Sequence, residues 1–401
     1  MPPSQSHVGI AWHLDQLSGW GNYGYQIIKH MCLGTEYRPV LLEDRDDGFS
    51  DSIEKALIDR RLDEPLKANP GLVERMISIR RKASIPILHA LGEDAKPAFS
   101  KRSAGILGST NHALTFFENG NISEISRDIY NRFESVTAGS SWNADLLAGN
   151  RVRNVEMCIQ GIDPSRFHPA PHRALFPDRF VIYAGGKMEF RKGQDIVLRA
   201  ISKFIESHDD ALLICVWGNK WANSNGYRWF DNSPHIENPP RPKSDNDVDL
   251  MRWFEAFGLR QRHVMAFNHY PHADTAGLIR EADVAIFANR CEGGTNLVAM
   301  ETMACGIPTI ISKNTGHLDI IFDGACLPLT DQRQVVIDEA GYDASHWGES
   351  SVDEIIAHLE FAYDQREKAR SIGAAGARKM QKFTWDKQVG HLIQGLKKHG
   401  L

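Results

Sequence analysis

RCEGGTNLVAMETMACGIPTIIS, residues Arg290 to Ser312, reads as a strand exit, a glycine turn, a short helix and a returning strand in succession. The run before it, Val284 to Ala288 (VAIFA), is continuously apolar, as expected of a strand covered on both faces. In the turn Glu292-Gly293-Gly294-Thr295-Asn296 two glycines allow the backbone to approach a ligand, and Asn296 can cap the helix that follows. Leu297, Met300 and Ala304 recur at helical spacing and give that helix a buried face. Gly306 suits a left-handed cap, and Pro308 opens the next strand.

Two carboxylates, Glu292 and Glu301, bracket the helix start. Nine residues along one helix would put them on opposite sides, so Glu292 belongs to the loop if both serve one site. The free N–H groups of a helix N-terminus bind phosphate, whereas a carboxylate there binds something that offers hydroxyls. Sugar nucleotides offer both.

A chain of 401 residues with 42% apolar content is long enough for two domains, each with its own core. Its net charge of -5, with 46 basic residues spread along the chain, gives no general field for nucleic acid. The start, MPPSQSHVGIAWHL, lacks the basic and apolar segments of a secretory signal. No run approaches the roughly 18 apolar residues of a spanning helix. Six scattered cysteines without a C-x-x-C pair argue against a zinc site or disulfide framework, and the expected location is cytoplasmic.

The first strand is expected at Val8 to Trp12, running into the loop Ser18-Gly19-Trp20-Gly21-Asn22-Tyr23-Gly24 before a helix with Ile27, Ile28 and Met31. That loop, with Gly21 at its centre, reads either as the nucleotide-facing turn of a Rossmann-like sheet or as a plain tight turn; its spacing is not G-x-G-x-x-G in register with an identifiable ribose acid, a role into which Glu43 or Asp44 would have to be forced. Residues 75–82, with Arg75, Arg80, Arg81 and Lys82, could lie on an anionic membrane. Interrupting acidic residues favour a solvated helix face. Strands are expected at Ile85 to Leu88, Ala113 to Phe117 and Ser135 to Ala138, and the polar residues after them, His89, Glu118 and Trp142, should line a cleft at the carboxyl ends. His112 falls before its strand.

A boundary shows at Ile159-Gln160-Gly161-Ile162-Asp163-Pro164, after which a second alternation of strands and helices begins with Phe180 to Ala184. Gly185-Gly186-Lys187-Met188-Glu189-Phe190-Arg191-Lys192-Gly193 then leads into a helix carrying Val197, Ala200, Ile201 and Phe204 on one face. Basic residues in a glycine loop at a helix entrance suit a diphosphate. The long segment from Gly218 to about Asp249 is expected to be either functional or mobile. Val352 to Tyr363 and Ala369 to Leu396 are helical, interrupted at Phe383-Thr384-Trp385-Asp386.

Three of these stretches resemble the retaining glycosyltransferases of group 1, the large family of sucrose, mannosyl and glycogen-type synthases. Glu301-Thr302-Met303-Ala304-Cys305-Gly306-Ile307-Pro308 is similar to its donor-site motif, although eight residues rather than seven separate Glu292 from Glu301, which places Gly293 at the literal spacing. The boundary resembles the family's hinge, with Gln160 for the usual asparagine. In the basic loop Lys187 falls on its arginine and Lys192 on its lysine. The resemblance implies an α/β GT-B fold, two Rossmann-like domains with parallel sheets facing across a cleft, comprising an acceptor-side domain (1–163), a nucleotide-sugar donor domain (164–383) and a C-terminal helix (384–401) packing back on the first. It implies catalytic roles for Lys187, Lys192, Glu292 and Glu118, and donor binding by Gly21, Lys187, Lys192, Gly293, Gly294, Thr295, Asn296, Leu297 and Glu301. Glu301 would hold the ribose and Glu292 the sugar, while His89, Glu118 and Trp142 are acceptor-side candidates. The expected partners are a nucleotide sugar as co-substrate and a glycan, lipid or other hydroxyl acceptor, without a cofactor. Asp245-Asn246-Asp247 is similar to the metal-binding Asp-x-Asp of another glycosyltransferase architecture, but lies off any strand end, and no metal is expected. A non-catalytic nucleotide- or glycan-binding protein, or another GT-B enzyme such as a sugar-nucleotide epimerase, are the alternative readings.

Overall fold

The computed structural model describes residues 6–15, 18–34, 36–45, 52–68, 71, 73, 83–219, 222–242, 244 and 247–401. They fall into two compact units, Met1–Gly161 with Thr384–Leu401, and Ile162–Phe383. In the first, β1 (Ser6–Ile10), β2 (Tyr37–Leu41), β3 (Ile87–Leu91), β4 (Asn111–Thr115), β5 (Ser135–Ala138) and β6 (Val155–Met157) form a parallel sheet in the order β2-β1-β3-β4-β5-β6. Helices α1 (Gly19–Gly34), α2 (Ser52–Ala68), α3 (Glu124–Tyr130) and α4 (Ser141–Gly149) alternate with the strands. Apolar side chains at alternate positions of the strands, such as Ala113, Val136 and Ala138, pack with Phe117, Tyr130 and Leu147 beneath the helices.

The second unit repeats the plan. Its elements are β7 (Phe180–Gly185), α5 (Gln194–Phe204), β8 (Ala211–Val216), α6 (Asn225–Arg228), α7 (Leu250–Ala256), β9 (Val264–Phe267), α8 (His272–Ile279), β10 (Val284–Phe287), α9 (Leu297–Ala304), β11 (Thr309–Ser312), β12 (Leu327–Leu329), β13 (Gln332–Gln334), β14 (Gly348–Ser350), α10 (Val352–Asp364) and α11 (Arg366–Met380). Six strands pair in parallel in the order β12-β11-β10-β7-β8-β9, and β13 with β14 makes a separate antiparallel ribbon. Val181, Tyr183, Ile214, Ala285, Phe287, Met300 and Met303 belong to one buried cluster between sheet and helices. The last helix, α12 (Trp385–Lys398), belongs to the first unit, where its Trp385 ring lies 5.7 Å from that of Tyr23 on α1.

Several boundaries differ from the sequence reading for identifiable reasons. Pro86 has no N–H to give a ladder, so β3 begins at Ile87 and continues through His89, whose ring is bonded to Asn111 Oδ1 at 3.1 Å. β4 starts two residues earlier than expected and includes His112, because Ser135 Oγ, 2.8 Å from its Nδ1, makes a buried imidazole tolerable there. The glycine stretch after β1 is not an open loop: from Gly19 onward it is already α1. A Cβ on Gly21 would fall 2.2 Å from the carbonyl oxygen of Asp15, so the residue is glycine to let the helix pack on its own approach. Within the segment from Gly218 to Asp249, Phe230 and Tyr227 pack on Trp253 of α7, with ring centroids 4.7 and 6.3 Å away. Residues 75–82, Asp245 and Asn246 lie outside the described residues. Among the described residues no helix is long and apolar enough to cross a membrane, and no group of three His, Cys, Asp or Glu is placed to hold a metal ion.

Candidate active site

In the second sheet the strand order reverses between β7 and β10, which are hydrogen-bonded neighbours with Val284 opposite Ile182 and Ala285 opposite Tyr183. Loops leaving the carboxyl ends of two such strands flank the crevice where open α/β sheets take their ligands. From β7 comes residues 186–193, closed by a single 3-10 turn at Phe190–Lys192. From β10 comes the loop to Asn296. The two are tied backbone to backbone, with the N–H groups of Arg290 and Cys291 both donating to the Arg191 carbonyl at 2.7 and 3.2 Å. Gly193 joins them most closely: its φ is 68°, and a Cβ there would sit 2.0 Å from the Ala288 oxygen at the end of β10.

These ties gather charges into one alternating row. Lys187 Nζ lies 2.7 Å from Glu189 Oε1, and Arg191 reaches from Glu189 Oε2 at 3.1 Å to Glu292 Oε2 at 3.3 Å. Lys192 Nζ and Asn289 Nδ2 both donate to Glu292 Oε1. Burial alone would raise the Glu292 carboxyl, but the charges of Lys192 and Arg191 outweigh it and bring the pKa down to about 2. Glu189 is likewise held below the usual carboxylate range, burial being overcome by Lys187 and Arg191. Burial pulls the Lys192 ammonium down, against the attraction of Glu292. Of the three cations Lys187 is the most open to solvent, its side chain being 32% exposed against 14% for Arg191 and 12% for Lys192.

Beside this row stands the start of α9. Asn296 takes the left-handed φ of 63°, and its side chain accepts from Ala299 N at 3.4 Å. His317 fixes that cap: its Nδ1–H donates to the Ser312 carbonyl at 3.0 Å, so its Nε2 accepts from Asn296 Nδ2 at 3.0 Å. Burial drives the His317 pKa down to about 4, keeping the imidazole neutral for this task. The Gly293–Gly294 segment passes under Gly316, whose N–H donates to the Glu292 carbonyl at 3.0 Å. The Thr295 hydroxyl turns inward to Met300 Sδ at 3.0 Å. Leu297 is half-buried at the first turn rather than part of the core face, and Met300 and Ala304 carry that face. Glu301, one turn further, is 2% exposed and accepts from His272 Nε2 at 2.7 Å. The imidazole is buried, which lowers its pKa, but Glu301 raises it more, and the result lies above the ordinary histidine value.

In the first unit, Gly21 gives its N–H to Ser18 Oγ at 2.9 Å. His89 stands mid-strand rather than at a strand end, and burial lowers its pKa. Glu118 follows β4, half-buried, and its N–H donates to Glu93 Oε1 at 2.6 Å; burial and the Glu118 charge push the Glu93 carboxyl up to about 8. Trp142 is buried in the first turn of α4, 6.2 Å from the Phe117 ring. The structure therefore brings Lys187, Lys192, Glu292 and the 293–297 turn together, and adds residues that motif reading passed over: Glu189, Arg191, Asn289, His272 and His317. Arg191 and Glu189 had a signal, since they alternate in charge with Lys187 and Lys192 inside the same loop. His272 and His317 had none, because their partners are decided by tertiary placement.

Residues 171–379, over half of the chain, match the family described as Glycosyl transferases group 1. One curated relative, D-inositol 3-phosphate glycosyltransferase of Corynebacterium jeikeium, is 26% identical over 52% of this chain and 48% of its own length. Another, the GDP-mannose-dependent alpha-(1-6)-phosphatidylinositol monomannoside mannosyltransferase of Mycolicibacterium smegmatis, is 25% identical over 44% of this chain and 42% of its own. The matched region spans less than half the length of these two relatives. Among solved structures, sucrose-phosphate synthase from Thermosynechococcus elongatus aligns over 98% of both chains with a TM-score of 0.68 and 14% identity. Anabaena HepE, solved in complex with UDP-glucose, aligns over 98% of this chain and 99% of its own with a TM-score of 0.63 and 13% identity. At such identities the likeness establishes the GT-B fold alone. The family match, resting on the same 171–379 region that holds the charged row and the α9 turn, shows that the chain belongs to the glycosyl transferases group 1.

Proposed function

We propose that this chain is a retaining glycosyltransferase that moves a sugar from a nucleotide-sugar donor to a hydroxyl acceptor without a metal ion. The observation that carries the reading is the convergence of Lys187, Arg191 and Lys192 on the carboxyl ends of β7 and β10, beside the N-terminus of α9. The acceptor oxygen bonds to the anomeric carbon as the bond from that carbon to the diphosphate oxygen breaks, and the acceptor proton passes to the departing phosphate. Charge grows on the leaving oxygen, and three cations with a helix end supply the stabilisation that a divalent ion would otherwise provide. Glu301, oriented by His272, accepts from the ribose hydroxyls. Glu292 holds Arg191 and Lys192 at their posts and, with the 293–297 backbone, faces the sugar. Retention is supported by the resemblance of the donor motif to retaining enzymes. The first unit takes the acceptor, with Glu118 as the candidate contact. Six buried cysteines, none of them in a disulfide, support a reducing, cytoplasmic location.

Relatives and structural neighbours carry both guanine and uracil donors in their names, so the test is a panel of UDP-, GDP- and ADP-sugars with glycan and lipid acceptors. Release of nucleoside diphosphate that depends on an acceptor, with the donor's anomeric configuration kept in the product by NMR, supports the proposal. Tight nucleotide binding without release from any donor would instead indicate a binding protein.

A further inference from the structure

Arg290 is fully buried, and each of its five N–H groups has an acceptor. Nη1 and Nη2 donate to the two carboxylate oxygens of Asp195 at 2.8 and 2.7 Å. Nη1 also donates to the Phe190 carbonyl at 2.6 Å, Nη2 to Glu349 Oε1 at 3.1 Å, and Nε to Glu349 Oε2. The guanidinium carbon lies 3.8 Å from the centroid of the Phe190 ring. Arg290 and its three partners come from four places: Phe190 from the turn that bears Arg191 and Lys192, Asp195 from the first turn of α5, Glu349 from β14, and Arg290 itself from the loop that bears Asn289 and Glu292.

A buried ion triad of this kind is a poor device for stability, because well-packed apolar residues usually do as well. What a planar fork with five donors supplies is geometry, and a lysine with one nitrogen cannot reproduce it. We infer that Arg290 is a positioning residue for sugar transfer, setting the spacing between the 190–192 turn and the 289–292 loop and thereby the placement of Arg191 and Lys192 against Glu292. The inference rests on the proposed function. It also identifies Glu349 as the outer handle of the device: its side chain is 14% exposed, shared with His235 Nε2 at 2.6 Å, and borders a cavity of about 630 Å³.

The test compares Arg290→Lys and Glu349→Gln with the unaltered protein by thermal unfolding, by calorimetric titration with nucleoside diphosphate to count folded sites, and by kcat and donor KM. Glu349→Gln keeps the shape of its side chain and is expected to fold normally. Displacing reacting groups by about 1 Å costs on the order of 100-fold in rate, so kcat per folded molecule should fall about 100-fold in Arg290→Lys and about 10-fold in Glu349→Gln, with donor KM within about twofold. A merely structural role would lower the melting temperature and leave kcat per folded molecule unchanged; that result in both variants, or a loss confined to KM, overturns the inference. Should Arg290→Lys fail to fold, Glu349→Gln decides alone. A second readout needs no turnover: acylation of Lys192 by an amine-directed reagent, followed by mass spectrometry, should be faster in Glu349→Gln as the pair with Glu292 loosens. If the unaltered protein processes no donor, the glycosyltransferase reading fails while the Lys192 reactivity still decides the role of Arg290, an unchanged rate overturning it.

Discussion

Truncating Lys192 to alanine strips one cation from the row and leaves Glu292, whose side chain is 6% exposed, with Arg191 at 3.3 Å and Asn289 as its remaining partners. Breaking a buried pair usually costs about 3–5 kcal/mol because the surviving charge is stranded. Here it is only half stranded, so we expect about 2–3 kcal/mol, at the low end of what truncating a buried charge pair costs. For a unit of about 220 residues, that lowers the melting temperature by about 5–10 °C. Catalysis should suffer more. Loss of one preorganised donor to a developing anion reduces kcat by about 10²–10³. The two effects separate experimentally: unfolding is followed by scanning fluorimetry, and kcat is measured well below the variant's melting point, with Lys192→Arg as the charge-keeping control. A Lys192→Ala enzyme whose kcat stays within about threefold of the unaltered protein, on the same scale where the expected loss is a hundredfold, would refute the role given to Lys192.

Glu301→Gln should chiefly raise the donor KM and weaken nucleoside diphosphate binding, whereas Glu292→Gln should chiefly lower kcat; steady-state kinetics with calorimetry distinguishes them, and the reverse pattern exchanges their roles. Turnover should persist in excess chelator, and restoration by a divalent ion after its loss would defeat the metal-free proposal. Because the Glu292 pKa is depressed to about 2, its contribution to stability is complete above its ordinary value of 4.5 and is lost as pH falls from there towards 2. The unaltered protein should therefore lose more stability on acidification than Glu292→Gln, and parallel curves would contradict this. His272 has the opposite sign: its pKa is raised, so the stabilisation from Glu301 is complete below 6.5 and is lost as pH rises through the folded value, and His272→Gln should flatten the alkaline side of the unfolding profile.

The β10–α9–β11 unit was legible because its signals are local: an apolar run, a capping Asn296, the left-handed Gly306 at φ 85° and Pro308. Lys187 and Lys192 could be found because their loop stands directly after a readable strand. That Lys192 meets Glu292, 100 residues away, could not be read, since it follows from β7 and β10 being neighbours in the sheet. The end of β3 and the start of β4 were misplaced for a related reason, since half-buried His89 and buried His112 look like loop residues until Asn111 and Ser135 satisfy them. Gly21 reads as ligand-facing until the Asp15 backbone is seen to occupy the space beside it.

The alternating row of Lys187, Glu189, Arg191, Glu292 and Lys192 carries a net charge of only one, so the cations arrive with their own counterions attached to the chain. On the proposed function, anion binding at this place would be an exchange reaction rather than a simple attraction. A tethered carboxylate competes at a high effective concentration, and an isolated phosphate or sulfate, bringing nothing but charge, gains little by displacing it. On the proposed function a nucleotide would bring its base and ribose as well, contacts that a bare anion lacks. The same near-neutrality leaves little long-range field to steer the ligand in, so the association rate should respond only weakly to salt even though the site is built from three cations.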